Sequence, residues 1–380
     1  MSPSPAAALD SPAAGAPPPP LAVELLRLAL RPGVERPDPA WGQLRALLAG
    51  RPVPDPTRAD WDAIARAARH AEVAVLAAAA HPELARRLEL AVRRQTLVDM
   101  NLELALDRVV RALERARLAA LPEAFALVKG AATAPLLYAR TLERFRRDID
   151  LLVSPAVFPD VVRALVADGW REDVGAADRA LGPSRARAWP LVLDLPIGAL
   201  GCDLHQRLFD HGQFRVDPRA VLAAARSGVA PLPVASPEDL LLITAAHLAK
   251  GGFQEPLKAW VDLTRLAALP GLDRAALGAR ARAWGVRAAT WGALEVAARW
   301  LDAPAARALQ HSVQPAGSAR AALRWLLAGD GAHPLRHDLS RHAASALVGP
   351  LTCDDPRALA AWTAERLGRR VGARARRDPR

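Results

Sequence analysis

Asp148 and Asp150 stand two residues apart in Asp148-Ile-Asp150-Leu-Leu-Val153, a run that reads as a β-strand. At a side-chain period of two, both carboxylates leave one face while Ile149 and Leu151 point the other way. Two carboxylates held side by side on a rigid strand suit a hard divalent cation such as Mg²⁺, which takes oxygen ligands and leaves positions for substrate phosphates. The implied chemistry is metal-assisted phosphoryl or nucleotidyl transfer. A solvated strand face also carries acids. Strands are nevertheless depleted in Asp, and this one runs on into Leu151-Leu152-Val153, which reads as buried on both faces. Acids that open a buried strand need a partner, and a metal is a good one.

Upstream, a strand over Phe125–Val128 runs into Lys129-Gly130, where a glycine allows a sharp turn into a helix from Ala131 to about Tyr138. The free N–H groups of that helix start face any anion held in the turn. Lys129 is one of only three lysines, with Lys250 and Lys258, among 51 basic residues. Where arginine has replaced lysine almost everywhere, the survivors mark places that need a compact ammonium rather than a planar fork. Downstream, Cys202-Asp-Leu-His205 lies in a strand expected over Ala199–Leu208, with Asp203 and His205 on one face. Asp203 is the candidate third carboxylate. Asp194, on the neighbouring strand expected over Ala188–Leu195, is its rival.

The elements that must position these groups fall into five stretches. Residues 1–20 are Pro, Ala and Ser, too poor in large apolar groups to fold. Residues 21–120 form a helical N-terminal region, with helices expected near Leu21–Leu30, Pro39–Leu48, Pro56–Ala80 and Pro82–Ala119. Residues 121–235 form the mixed core, with a helix over Pro155–Asp168 after the acidic strand. Residues 236–365 form a C-terminal helical domain, opened by Ser236-Pro-Glu-Asp239 with Ser as cap and Pro at the first position. Residues 366–380 are a basic tail. In the C-terminal domain His247 and Lys250 share a helix face, and Lys258 and Asp262 are spaced to pair. The tryptophans there read as core, and His70 and His81 as structural.

The net charge of +11 resembles a nucleic-acid signal until it is located. Residues 366–380 carry seven arginines against Asp378, more than half of the excess, and such a tail is most often a solvated end. Nucleic acid is therefore not a favoured partner. No apolar run approaches a membrane span, the N-terminus is a poor signal peptide, and Cys202 and Cys353 form no metal or disulfide pattern. A cytoplasmic location is the expectation.

With these residues placed, the chain resembles the uncharacterised nucleotidyltransferase family of bacteria, a branch of the polymerase-beta-like superfamily. The matching pieces are Leu127-Val-Lys-Gly130, Arg144 four residues before the acidic pair, Asp148-Ile-Asp150, Cys202-Asp-Leu-His-Gln-Arg-Leu208 and the segment from His247 to Asp262. The resemblance implies three carboxylates, Asp148, Asp150 and Asp203, holding two Mg²⁺ ions, with Mn²⁺ as the alternative. It also implies an NTP as donor and pyrophosphate as the leaving group. Lys129 and Gly130 face the phosphates, and Arg144 stabilises their charge. The superfamily's usual turn is Gly-Ser where this chain has Lys129-Gly130-Ala131, which leaves Thr133 to supply the hydroxyl. A small residue commonly precedes the acidic pair, and here Arg147 stands there.

The expected fold is α+β, a small mixed β-sheet nucleotidyltransferase core with large N- and C-terminal helical regions. The expected activity is transfer of an NMP to the hydroxyl or amine of an unidentified small-molecule, peptide or RNA acceptor. The acceptor is expected between the sheet and the C-terminal helices, against His205, His247 and Lys250. Two alternatives remain open at this point: a toxin-like or defence enzyme that modifies tRNA or protein, and a non-catalytic binding protein that keeps the fold.

Overall fold

The computed structural model of the chain describes residues 39–48, 59–175, 182–183, 188–195, 198–209, 213–327 and 341–355, with 357, 359–360 and 363. The leader, the expected Leu21–Leu30 helix, Trp362 and the basic tail lie outside the described residues. Five helices come first: α1 (Pro39–Leu48), α2 (Trp61–His70), α3 (Ala74–Ala80), α4 (Pro82–Arg87) and α5 (Glu89–Arg115). Asp60 caps α2 by accepting a hydrogen bond from the Ala63 amide, and Ile64, Ala65 and Ala68 form its buried stripe. The two long helices expected here are each broken. The first breaks at Glu72, whose φ of +58° no helix interior accommodates. The second breaks at Leu88, between α4 and α5.

The sheet follows. Strands β1 (Phe125–Leu127), β2 (Asp148–Val153), β3 (Arg171–Glu172), β4 (Ala188–Leu195) and β5 (Gly198–His205) lie in the order β1-β2-β5-β4-β3. Only β2 and β5 run parallel; β1–β2, β4–β5 and β3–β4 are antiparallel. The short β3 had no clear strand signal in the sequence. Helix α6 (Lys129–Leu137) leaves β1 directly, and α7 (Phe158–Ala167) follows β2. The faces of β2 and β5 divide as alternation requires. Ile149, Leu151, Cys202 and Leu204 are buried, while Asp148, Asp150, Asp203 and His205 share the opposite face.

A helix α8 (Pro218–Ala223) leads to the C-terminal helices α9 (Pro237–Lys250), α10 (Leu257–Ala267), α11 (Arg274–Trp284), α12 (Arg287–Trp300), α13 (Pro304–Leu309), α14 (Gly317–Leu327) and α15 (Arg341–Thr352). Ser236 caps α9 as its sequence predicts, accepting from the Asp239 amide at 3.2 Å with Pro237 in the first turn. Trp284, Trp291 and Trp300 are buried, and Trp300 meets Trp260 edge-on. One continuous apolar core joins the N-terminal helices, the sheet and the C-terminal helices. Helices α9 and α10 both pack on α6, which brings the C-terminal helices over the acidic face of the sheet.

Candidate active site

Parallel pairing of β2 with β5 sets Asp150 directly opposite Asp203, and Asp148 opposite Gly201. Asp150, Asp203 and His205 each offer a ligand atom within 4.8 Å of the others. His205 Nε2 lies 2.8 Å from Oδ1 of Asp150, and the buried Nδ1 of His205 has no hydrogen-bond partner. Asp148 opens β2 at the exposed rim of the same face. The rival acid Asp194 sits at the far end of β4, paired with exposed Arg171 at 3.0 Å, while the β4 residue in register with Asp203 is Pro190.

The turn that brings Lys129 over these acids differs from the expected one. The helix starts at Lys129 itself, and Lys129 rather than Gly130 takes the left-handed backbone, with φ of +49°. For a residue with a Cβ this conformation costs about 1–3 kcal/mol and persists only where the surroundings impose it. Here the Val128 amide donates to the Asp150 carbonyl at 3.1 Å, and the Lys129 ammonium sits 2.5 Å from Asp150 Oδ1 and 3.5 Å from His205 Nε2. Gly130 lies in the first turn of α6, where a Cβ would meet the side chains of Arg146 and Arg144 at ordinary distances.

The electrostatics follow from crowding. Burial alone raises the Asp150 carboxyl, but Lys129 and His205 outweigh it and hold the group well below the usual carboxylate range. Asp148 is pushed up by burial and then by the charges of Asp150 and Asp203. Lys129 is raised, because its acidic neighbours, Asp150 first, overcome its desolvation. The Cys202 thiol, buried behind these acids, is driven far up by burial first and then by Asp203. Three carboxylates share one ammonium, and the donor set is two hard oxygens beside an imidazole. That arrangement fits a divalent cation, which would relieve the like-charge strain that raises Asp148.

Asp148 and Asp150 form part of the wall of a cleft of about 280 Å³, which Lys129, Gly130, His247 and Lys258 also line, whereas Asp203 and His205 do not line it. Of the residues expected at the phosphates, Arg144 belongs to the cleft wall, but its charge is committed to Asp262. Its Nε lies 2.7 and 2.9 Å from the two Asp262 oxygens. Tyr138 donates to the same carboxylate at 2.6 Å and Thr133 at 3.2 Å. Thr133 is fully buried, so its hydroxyl faces this network rather than the cleft. Asp262 was spaced to pair with Lys258 and does not. Lys258 instead bonds Glu72 at 2.5 Å and the Phe145 carbonyl at 3.3 Å. Lys258 is lowered, chiefly by burial and then by the nearby Arg144.

The connection from Tyr138 to Arg147 is tied down on its other side too. Arg146 is ion-paired with Asp99 and with Glu103 of α5, and Thr141 donates to Asp99 at 2.8 Å. Thus α5 and α10 grip one loop between them and fix where β2 begins. His247 lies on the cleft wall 3.5 Å from Glu255; Lys250, one turn further along α9, is not among the lining residues.

A family model described as an uncharacterised nucleotidyltransferase matches residues 57–302. The chain belongs to this family. No curated protein and no solved structure matches it. The matched stretch of this nucleotidyltransferase runs from α2 to the end of α12, so it takes in the acidic cluster, the cleft and both sets of helices that hold them. Among the described residues, no helix is long and apolar enough to cross a membrane. Glu72, which helps to organise the cleft, carries no signal in the sequence beyond charge, and Asp262 is singled out there for a different partner. Tyr138 does stand out there as the sole tyrosine.

Proposed function

We propose that this nucleotidyltransferase moves a nucleoside monophosphate from an NTP to a hydroxyl or amine of a second substrate. The observation that carries the reading is the register pair Asp150 and Asp203, with Asp148 on the same face and Lys129 poised over Asp150. Asp150 and Asp203, with Asp148 at the rim, are the residues that would hold a divalent cation, Mg²⁺ or alternatively Mn²⁺. Once bound, such a cation neutralises charge on the phosphates and makes the acceptor group a better nucleophile.

The remaining work falls to the chain itself. Lys129, poised over Asp150, would turn its ammonium to the phosphates, where a compact donor reaches non-bridging oxygens. The first-turn amides of α6 face the same anion. The acceptor oxygen or nitrogen bonds to the α-phosphorus, and the bond from that phosphorus to the bridging oxygen breaks. Pyrophosphate departs with the electron pair. The proton from the acceptor passes to solvent, while His205, whose Nε2 is held 2.8 Å from Asp150 Oδ1, keeps that carboxylate in place. Arg144 acts at one remove, holding the loop before β2 through Asp262.

The test uses each of the four NTPs labelled at the α-phosphate, incubated with the protein, Mg²⁺ and a cell lysate. Label should appear on a new product with stoichiometric pyrophosphate, and Asp203→Asn should remove both. Release of labelled NDP with inorganic phosphate, or transfer by Asp203→Asn at the wild-type rate, would sink the reading.

A further inference from the structure

We infer that a second cavity, next to the catalytic cleft and on the side of the N-terminal helices, is the seat of a small anionic, hydroxyl-bearing acceptor. This cavity has about 600 Å³, twice the cleft, and shares the wall Glu72, Phe145 and Arg147 with it. The inference rests on the nucleotidyl-transfer reading for the word acceptor, but the binding it assigns can be tested without it.

The charges that face the cavity do not balance. Arg69 of α2, Arg94 of α5 and Arg147 line it against a single acid, Glu72. Glu72 is already spent: it is ion-paired with Arg147, and its other oxygen lies 2.5 Å from Lys258. Arg69 and Arg94 have no carboxylate partner among the described residues, so two arginines from two helices line one space uncompensated. Arginine forks in that setting favour a carboxylate or a phosphate. The second observation is in the wall between them. Asn101 is only 5 % exposed, lines the cavity, and keeps a buried side-chain oxygen with no hydrogen-bond partner. A polar atom left so costs about 1–3 kcal/mol unless something satisfies it. Rotation of the amide lets a ligand hydroxyl or N–H do so.

Position assigns the cavity to the acceptor rather than to the nucleotide. Its floor includes Ala199 and Leu200 of β5, the strand that carries Asp203, whereas the Lys129 turn lies on the β1 side of β2. Ala199 lies on the same face of β5 as Asp203, four residues away, about 13 Å at a strand's rise. An acceptor with its anionic end at Arg69 and Arg94 directs its hydroxyl end along this face toward the acids. Phe145 forms the partition, with the Lys258 ammonium 5.1 Å and the Arg147 guanidinium 5.2 Å from its ring centre.

The experiment is calorimetric titration of the full chain with ribose 5-phosphate, sn-glycerol 3-phosphate and L-malate, with ribose and glycerol as uncharged controls. At least one anion should bind while its uncharged counterpart does not. Arg69→Ala/Arg94→Ala, both exposed positions, should weaken that binding at least tenfold yet leave affinity for a non-hydrolysable Mg²⁺–ATP analogue unchanged. Three results overturn the inference: no anion binds the wild type, the double variant binds it equally well, or a nucleotide base occupies the cavity in a crystal of the analogue complex. Anion binding lost in the double variant, with no nucleotide bound by the wild type, supports the anion site and counts only against the NTP reading.

Discussion

Asp150 of β2 and Asp203 of β5 are register partners across the parallel pairing of these two strands, so two carboxylates meet where backbone hydrogen bonds fix both strands. Side chains so placed do not drift apart, and their repulsion is built in. Asp203 is the partner that can be changed most cleanly, because it is half-buried and no ion pair depends on it. Asp203→Asn is expected to lower turnover by at least about 10²-fold, in the range of other losses of transition-state charge stabilisation. Stability should move by less than about 1 kcal/mol, as for a substitution that opens no cavity and strands no charge. Steady-state rates beside urea midpoints check both halves.

Lys129 is confined by its left-handed backbone and by Asp150 and His205, all within reach of its ammonium. Arginine keeps the charge but needs room for a planar fork between two groups that lysine already touches. Lys129→Arg should therefore reduce kcat/KM by about tenfold or more, or about 1.4 kcal/mol of transition-state stabilisation. Equal kinetics for the two proteins would remove the case for a shape-specific cation.

Asp262 tests whether Arg144 is an anchor or a phosphate ligand. Truncation to Ala strands the buried Arg144 guanidinium and takes the acceptor from Tyr138 and Thr133. Breaking a buried pair from one side costs about 3–5 kcal/mol. Asp262→Ala should fall in that range by urea denaturation, and Arg144→Met/Asp262→Leu should recover part of the loss, because it removes both charges. A stability change under about 1 kcal/mol in Asp262→Ala would mean that Arg144 is not held there.

Much of this arrangement is legible in the sequence, and the exceptions have physical causes. The acidic strand is found at Asp148–Val153 as its pattern predicts, since period-two alternation beside an apolar run leaves little freedom of register. The family and the mixed α+β fold follow from the ordered motifs around it. The turn at Lys129 is misread because glycine is the default bearer of positive φ, and here tertiary contacts force it on the neighbouring lysine. The pairing of Lys258 with Asp262 is misread for a similar reason. Helix spacing allows it, but Arg144 and Glu72 arrive from elsewhere in the chain with better geometry. The break at Glu72 is invisible locally, because an uninterrupted alanine-rich helix is what propensity favours.

Asp239 offers a pH test away from the cleft. It sits in the first turn of α9 with its side chain out of solvent; Arg280 pairs with one oxygen, and the other has no hydrogen-bond partner. Burial, with Glu238 beside it, raises the carboxyl to about 6, against the lowering pull of Arg280 and the Ser236 cap. In the unfolded chain the group ionises near its ordinary value of 3.8. Between those two values the folded chain binds the proton and the unfolded chain does not, so the Asp239 contribution falls as pH rises through the window and stays low above it. At about 1.4 kcal/mol per unit, the shift is worth about 3 kcal/mol. Asp239→Asn cannot ionise and should lack this component. The stability of wild type relative to Asp239→Asn is therefore expected to drop by up to about 3 kcal/mol between about pH 4 and about pH 7 in matched urea titrations. A difference that is flat with pH, or that grows toward neutrality, would show that the Arg280 pair keeps Asp239 ionised throughout.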